Sequence, residues 1–70
     1  MDDISERMNL FNKLSRYVEM GIKLILQGRP ASPQQTADIV MEEFGCYMAD
    51  YVQDADGVLK EIRYDRIARA

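Results

Sequence analysis

The sequence predicts a small α+β domain in the order helix, strand, helix, β-hairpin, with three strands in one sheet. Three observations carry this. Apolar residues recur every three or four positions through the first twenty or so residues, "SPQQ" carries a helix-start signal, and "DADG" separates two stretches of strand-forming residues. The alternative is a pair of helices on a two-stranded hairpin, which follows if residues 22–27 extend the first helix instead of forming a strand. Residues 1–70 make one domain, because a chain this short buries only about 60% of its unfolded surface and cannot support two cores.

The first helix is expected from Asp2 to about Met20. Its apolar positions Ile4, Met8, Phe11, Leu14, Tyr17 and Val18 read as one amphipathic face. Asp2 or Asp3 can cap it, and Glu6 puts a negative charge where the helix dipole favours one. After Met20 the chain can be read in two ways. Ile22, Ile25 and Leu26 would stay on the Phe11/Leu14/Val18 face if the helix ran on to Gln27 with Gly28 as its cap. Gly21, however, costs an interior helix about 1 kcal/mol relative to alanine. Ile22, Leu24 and Leu26 also alternate with Lys23, Ile25 and Gln27, as suits a strand buried on both sides. A third strand widens a sheet that is marginal with two, so the strand is the expectation.

"LQGRPAS" reads as a turn, and Ser32-Pro33-Gln34-Gln35 then opens the second helix. Serine is the N-cap, proline takes the first helical position, and Gln35 completes a capping box. The helix is expected from Pro33 to Glu43, with Ala37, Val40, Met41 and Phe44 facing inward, Ile39 at the margin and Gly45 stopping it.

The hairpin spans residues 46–67 around Asp54-Ala55-Asp56-Gly57, a type I turn closed by a left-handed glycine. Pairing Asp54 with Val58 sets Val52 opposite Lys60, Asp50 opposite Ile62, Met48 opposite Tyr64 and Cys46 opposite Arg66. The core face is then Cys46, Met48, Val52, Val58, Ile62 and Tyr64. The outward face is Tyr47, Ala49, Tyr51, Glu61, Arg63 and Asp65. A two-residue loop at Asp56-Gly57 would shift the partners by one and bring Tyr51 opposite Ile62.

On that register Tyr47, Tyr51, Glu61, Arg63 and Asp65 form an aromatic and charged protein-binding surface, since exposed tyrosine with arginine is the composition of binding hot spots. The plainer account is that cross-strand pairs of tyrosine with charged residues stabilise a sheet without any partner. Arg63, Arg66 and Arg69 lie three apart around Tyr64 and could grip a phosphate or carboxylate, although pairing with neighbouring acids is the favoured reading. Met8, Met20, Met41 and Met48 are expected as pliable core filler.

Composition narrows the function classes. One cysteine, Cys46, and no histidine leave no internal disulfide and no ordinary zinc site, and a lone thiol suits a reducing compartment. Asp50, Asp54, Asp56, Glu61 and Asp65 miss the calcium-loop pattern, because Ala55 stands where the glycine is required. No phosphate-binding glycine loop, nucleophile elbow or cysteine–histidine pair occurs, so neither a cofactor nor catalysis is expected. A net charge of −3 argues against direct nucleic-acid binding, and the apolar run at Ile22–Leu26 is far too short to span a membrane. The acidic opening Met1-Asp2-Asp3 does not resemble a signal peptide. The expectation is a cytoplasmic, non-enzymatic interaction or regulatory module that forms a homo-oligomer or docks on another protein, self-association supplying the stability that disulfides and metals do not. Two further classes stand behind it: an acidic inhibitor or regulator of a nucleic-acid-processing enzyme, with carboxylates mimicking phosphates, and a small-molecule-binding or catalytic domain.

Overall fold

A computed structural model describes residues 3–43 and 45–67. The elements run α1 (Asp3–Glu19), β1 (Lys23–Leu26), β2 (Arg29–Pro30), α2 (Pro33–Glu42), β3 (Tyr47–Gln53) and β4 (Leu59–Arg66). The α+β class and the strand reading of residues 22–27 both hold. The sheet has four strands where three were expected, in the order β2-β1-β4-β3, with β1 parallel to β4 and both outer pairs antiparallel.

Gly21 decides the choice between helix and strand. At φ 88° it adopts a left-handed turn that ends α1 in a Schellman motif: the Ile22 N–H donates to the Tyr17 carbonyl at 3.0 Å and the Gly21 N–H to the Val18 carbonyl at 2.9 Å. The chain leaves this cap directly into β1. The capping role expected of Asp2 or Asp3 lies outside the described residues and side chains.

The added strand comes from "QGRP". Gln27 and Gly28 both have positive φ, 51° and 81°, as a two-residue turn of type I′ requires, and they fold Arg29–Pro30 back on Ile25 and Leu26. Pro30 is tolerated because β2 lies at the sheet edge, where its missing N–H is not needed.

The capping box of α2 forms as expected: the Ser32 Oγ accepts from the Gln35 N–H, and the Gln35 side chain accepts from the Ser32 N–H, each at 3.1 Å. The helix ends one residue earlier than expected, with Glu43 as its C-cap. Ala37 is buried, and Val40 packs on the core. The inward placement of Phe44 lies outside the described residues. Thr36, not among the expected core positions, is fully buried.

The hairpin turn is also as expected. Gly57 has φ 82°, the Asp54 N–H donates to the Val58 carbonyl at 2.9 Å, and the Gly57 N–H donates to the Asp54 carbonyl at 3.0 Å. Its consequence for register is not. Gln53 pairs with Leu59 but Val52 pairs with Glu61, so Lys60 is an extra residue in β4. From this β-bulge onward every partner moves by one: Tyr51 faces Ile62, Asp50 faces Arg63, Ala49 faces Tyr64 and Met48 faces Asp65. Tyr51 opposite Ile62 is the pairing expected of a two-residue loop, reached here through a bulge.

Both helices contribute to a core on one face of the sheet. Leu14, Ile22, Leu24, Ile62 and Tyr64 are buried there, and Leu10, Tyr17, Val40, Tyr47 and Ala49 pack around them. Strand alternation therefore puts Tyr47, Ala49 and Tyr51 on the helix-covered face, together with Ile62 and Tyr64. The expected core face is thus correct for β4 from Ile62 onward and inverted for β3.

Candidate interaction surfaces

The five residues expected to form one binding surface are divided between the two faces of the sheet. Tyr47 is half-buried on the helix side, where its hydroxyl accepts a 2.7 Å hydrogen bond from Gln27 Nε2 in the β1–β2 turn. Arg66 sits 6.0 Å from the Tyr47 ring centroid and forms an ion pair with Glu43 at the end of α2. The charge of Arg66 is therefore engaged within the chain, as the plainer reading of the arginine series expected. Arg69 lies outside the described residues. Tyr51 lies on the same side and is 44% exposed at the edge of the sheet. Tyr64, beneath the helices, has its hydroxyl pKa raised, chiefly by burial.

Glu61, Arg63 and Asp65 occupy the opposite face, as expected for β4, with Met48, Asp50 and Val52 of β3 and Lys23 and Ile25 of β1. The two helices pack on the other side, so this face is open. Its charges are interleaved. Arg63 Nη1 lies 3.3 Å from Glu61 Oε2, Asp50 is the cross-strand neighbour of Arg63, and Lys23 is the neighbour of Glu61. Met48 is 61% exposed.

β3 is also an edge strand. The Ile67 N–H donates to the Cys46 carbonyl at 2.7 Å, which sets the alternation of the ladder. Cys46, Met48, Asp50 and Val52 then direct their backbone groups to β4, while Tyr47, Ala49 and Tyr51 direct theirs to the free edge. Asp50 stands in the middle of this edge and opposes pairing with a like strand across it.

At the turn, the Asp54 carboxylate accepts from the Val58 N–H at 3.0 Å and the Asp56 N–H at 2.8 Å, with Lys60 Nζ 3.6 Å away. These hydrogen bonds, that from Val58 first, hold its pKa below the ordinary carboxylate value. The aspartate thus has a structural use in the turn. Among the described residues, no group of three or more histidine, cysteine, aspartate or glutamate side chains is placed to hold a metal ion, and no helix is long and apolar enough to cross a membrane.

The surface that the sequence reading missed lies on α1. The apolar residues read as one helix face divide into two seams. Leu14 and Tyr17 point into the core together with Leu10, which was not part of the expected face, whereas Ile4 (72% exposed), Met8, Phe11 and Val18 run along the outside. Their steps of four, three and seven residues are those of a helix-pairing stripe, with Ser15 at the intervening position. Met8 and Phe11 also border a shallow groove of about 280 Å³ whose other wall is Gln34, Ala37 and Asp38 of α2. Arg7 closes its rim by pairing with Asp38 at 3.6 Å. Met8, Met20 and Met48, expected as core filler, are instead exposed, and only Met41 is half-buried.

A second groove, of about 480 Å³, lies beside β1 and β2 between Val18, Ile22, Pro30 and Pro33, and it is open and largely apolar. Comparisons with protein-family models, curated proteins and solved structures find no match to this chain.

Proposed function

We propose that the chain is a non-enzymatic interaction module that associates with a second copy of itself through the outer seam of α1. The observation that carries this reading is the exposed line Ile4, Met8, Phe11 and Val18, continuous with the α1/α2 groove. Scattered exposed apolar residues need no explanation, but a stripe at helix-pairing spacing is what a partner helix covers. Size points the same way, since a chain of 70 residues with one cysteine and no histidine has few other means of enlarging its core.

A non-catalytic role draws support from the two grooves, which are open and largely apolar, the charged groups at the rim of the first, Arg7 and Asp38, being paired with each other. The phosphate-mimic reading draws little support from the open sheet face, because Asp50 and Glu61 stand beside cations and do not build a continuous negative field. A cytoplasmic location belongs to the same proposal, resting on the lone thiol of Cys46.

Light scattering at micromolar concentration is expected to report a mass twice the 8.1 kDa of one chain. A mass that stays at the single-chain value as the protein is concentrated overturns the reading.

A further inference from the structure

We infer that the free edge of β3 takes up an extended basic segment of another protein as an antiparallel fifth strand. This goes beyond the self-association proposed above and uses a different surface.

The two edges of the sheet are not alike. β2 is two residues long and one of them is Pro30, so it offers little to a further strand. β3 runs for seven residues, Tyr47–Gln53, without a proline, and β4 is the only element that packs extensively against it. The backbone N–H and C=O groups that Tyr47, Ala49 and Tyr51 direct to the edge are therefore a template for further ladder hydrogen bonds. What pairs with such a row is extended backbone.

The side chains beside this row specify the chemistry of the added strand. On the open face Asp50 is exposed in the middle of β3, and Asp65 is exposed opposite Met48. Among the described residues neither carboxylate forms an ion pair, because Arg63 is engaged by Glu61 and Arg66 by Glu43. In an antiparallel fifth strand Ala49 belongs to a hydrogen-bonded pair, and Met48 and Asp50 belong to the closer non-hydrogen-bonded pairs. A lysine opposite Asp50 then lies directly beside its carboxylate. A lysine opposite Met48 lays its stem over that side chain, 61% exposed, and carries its ammonium towards Asp65, two strand spacings or about 10 Å away. On the helix side, Ala49 leaves a gap between Tyr47 and Tyr51 that suits an apolar residue between the two lysines.

Charge also says what does not fit. A second copy of β3 would bring another Asp50 and no cation to this edge. The net charge of −3 favours approach of a cationic segment.

The probe is a capped, fluorescently labelled peptide in which two lysines flank a leucine and threonines extend both ends. Titrated with the full chain, it is expected to bind with a Kd below about 1 mM and to slow amide exchange at Ala49 and Tyr51. N-methylation of the leucine removes the donor that faces Ala49 and is expected to weaken binding at least about 10-fold. N-methylation of a lysine, whose N–H faces away from β3, is expected to change it less than about 3-fold. Glutamates in place of the lysines, or Asp50→Lys in the folded chain, are each expected to weaken it at least about 10-fold. Absence of binding at 1 mM peptide, indifference to the leucine methyl, or an Asp50→Lys chain that binds as tightly as the parent overturns the inference. Protection of the Ala49 and Tyr51 amides that grows with protein concentration alone would put a second copy on the edge, and overturns it too. None of these readouts is the mass of the chain in solution, so self-association through α1 is tested separately.

Discussion

Replacing Tyr47 with serine tests the division of the hairpin between the two faces of the sheet. Were β3 in unbulged register, Tyr47 would point away from the helices, and its loss would cost no more than an ordinary surface change of about 0.5 kcal/mol. In the bulged register the ring packs against the core, its hydroxyl accepts from Gln27, and Arg66 lies over its face. Truncating a fully buried aromatic costs about 3–5 kcal/mol. A half-buried one therefore loses about 2, the exposed hydrogen bond adds about 0.5, and the cation–π contact adds a similar amount. The expected loss is about 2–3 kcal/mol, or roughly 10–20 °C in Tm for a domain of this size. Urea unfolding at one fixed protein concentration measures it, which removes the mass-action contribution of a dimer. Tyr47→Phe, which keeps the ring, is expected to cost less than about 1 kcal/mol, and Arg63→Ala on the open face to stay within about 0.5 kcal/mol. A Tyr47→Ser variant as stable as the parent, with Arg63→Ala the more costly of the two, would refute the assignment of faces.

Two further outcomes follow from local chemistry. Thr36 is fully buried, and its hydroxyl has no hydrogen-bond partner among the described residues, so Thr36→Val is expected to raise stability by about 1 kcal/mol in the same unfolding assay; a loss of stability would show that the hydroxyl is satisfied. Asp54 has a lowered pKa, so its contribution is present above the ordinary carboxylate range and is lost as the pH falls through the lowered value. Asp54→Asn keeps the acceptor oxygen without the titration and is expected to lose less stability on acidification than the parent, whereas equal acid sensitivity would show that the turn does not hold the carboxylate.

What could be read in advance depended on how locally each feature is determined. The α2 capping box and the Gly57 turn are settled within four consecutive residues, and both appear where the residue types place them. Gly21 was a correct warning because a left-handed cap is a property of one residue. β2 was not legible: two residues, one of them proline, carry no strand pattern, and only the positive φ at Gln27 and Gly28 folds them onto β1. The two seams of α1 were not separable either. Ile4, Met8, Phe11, Leu14, Tyr17 and Val18 span a broad apolar arc. Which part of that arc is buried depends on where α2 and the sheet lie against it, and periodicity alone cannot express that.

The register of the hairpin is a different case, because one residue carried the signal against the simple pairing. Strict pairing from the turn puts Asp50 opposite Ile62, hence on the core face between Met48 and Val52. That register also puts Lys60, opposite Val52, on the same face, so a carboxylate and an ammonium would both be desolvated against the core, which costs several kcal/mol. Lys60, polar and exposed, can occupy a bulge without losing a packing partner, and its ammonium remains near Asp54. Inserting it moves Asp50 to the open face, opposite Arg63, and brings Tyr47, Ala49 and Tyr51 inward in exchange. The alternation of β3 alone could not choose, because both sets of its residues are partly apolar, but the solvation of one carboxylate could. The same shift separates the tyrosines from Arg63, so no aromatic hot spot forms on the open face of the hairpin. It leaves the outer seam of α1 as the longest exposed apolar line among the described residues, which is why the self-association proposed above is sought on the helix and not on the sheet.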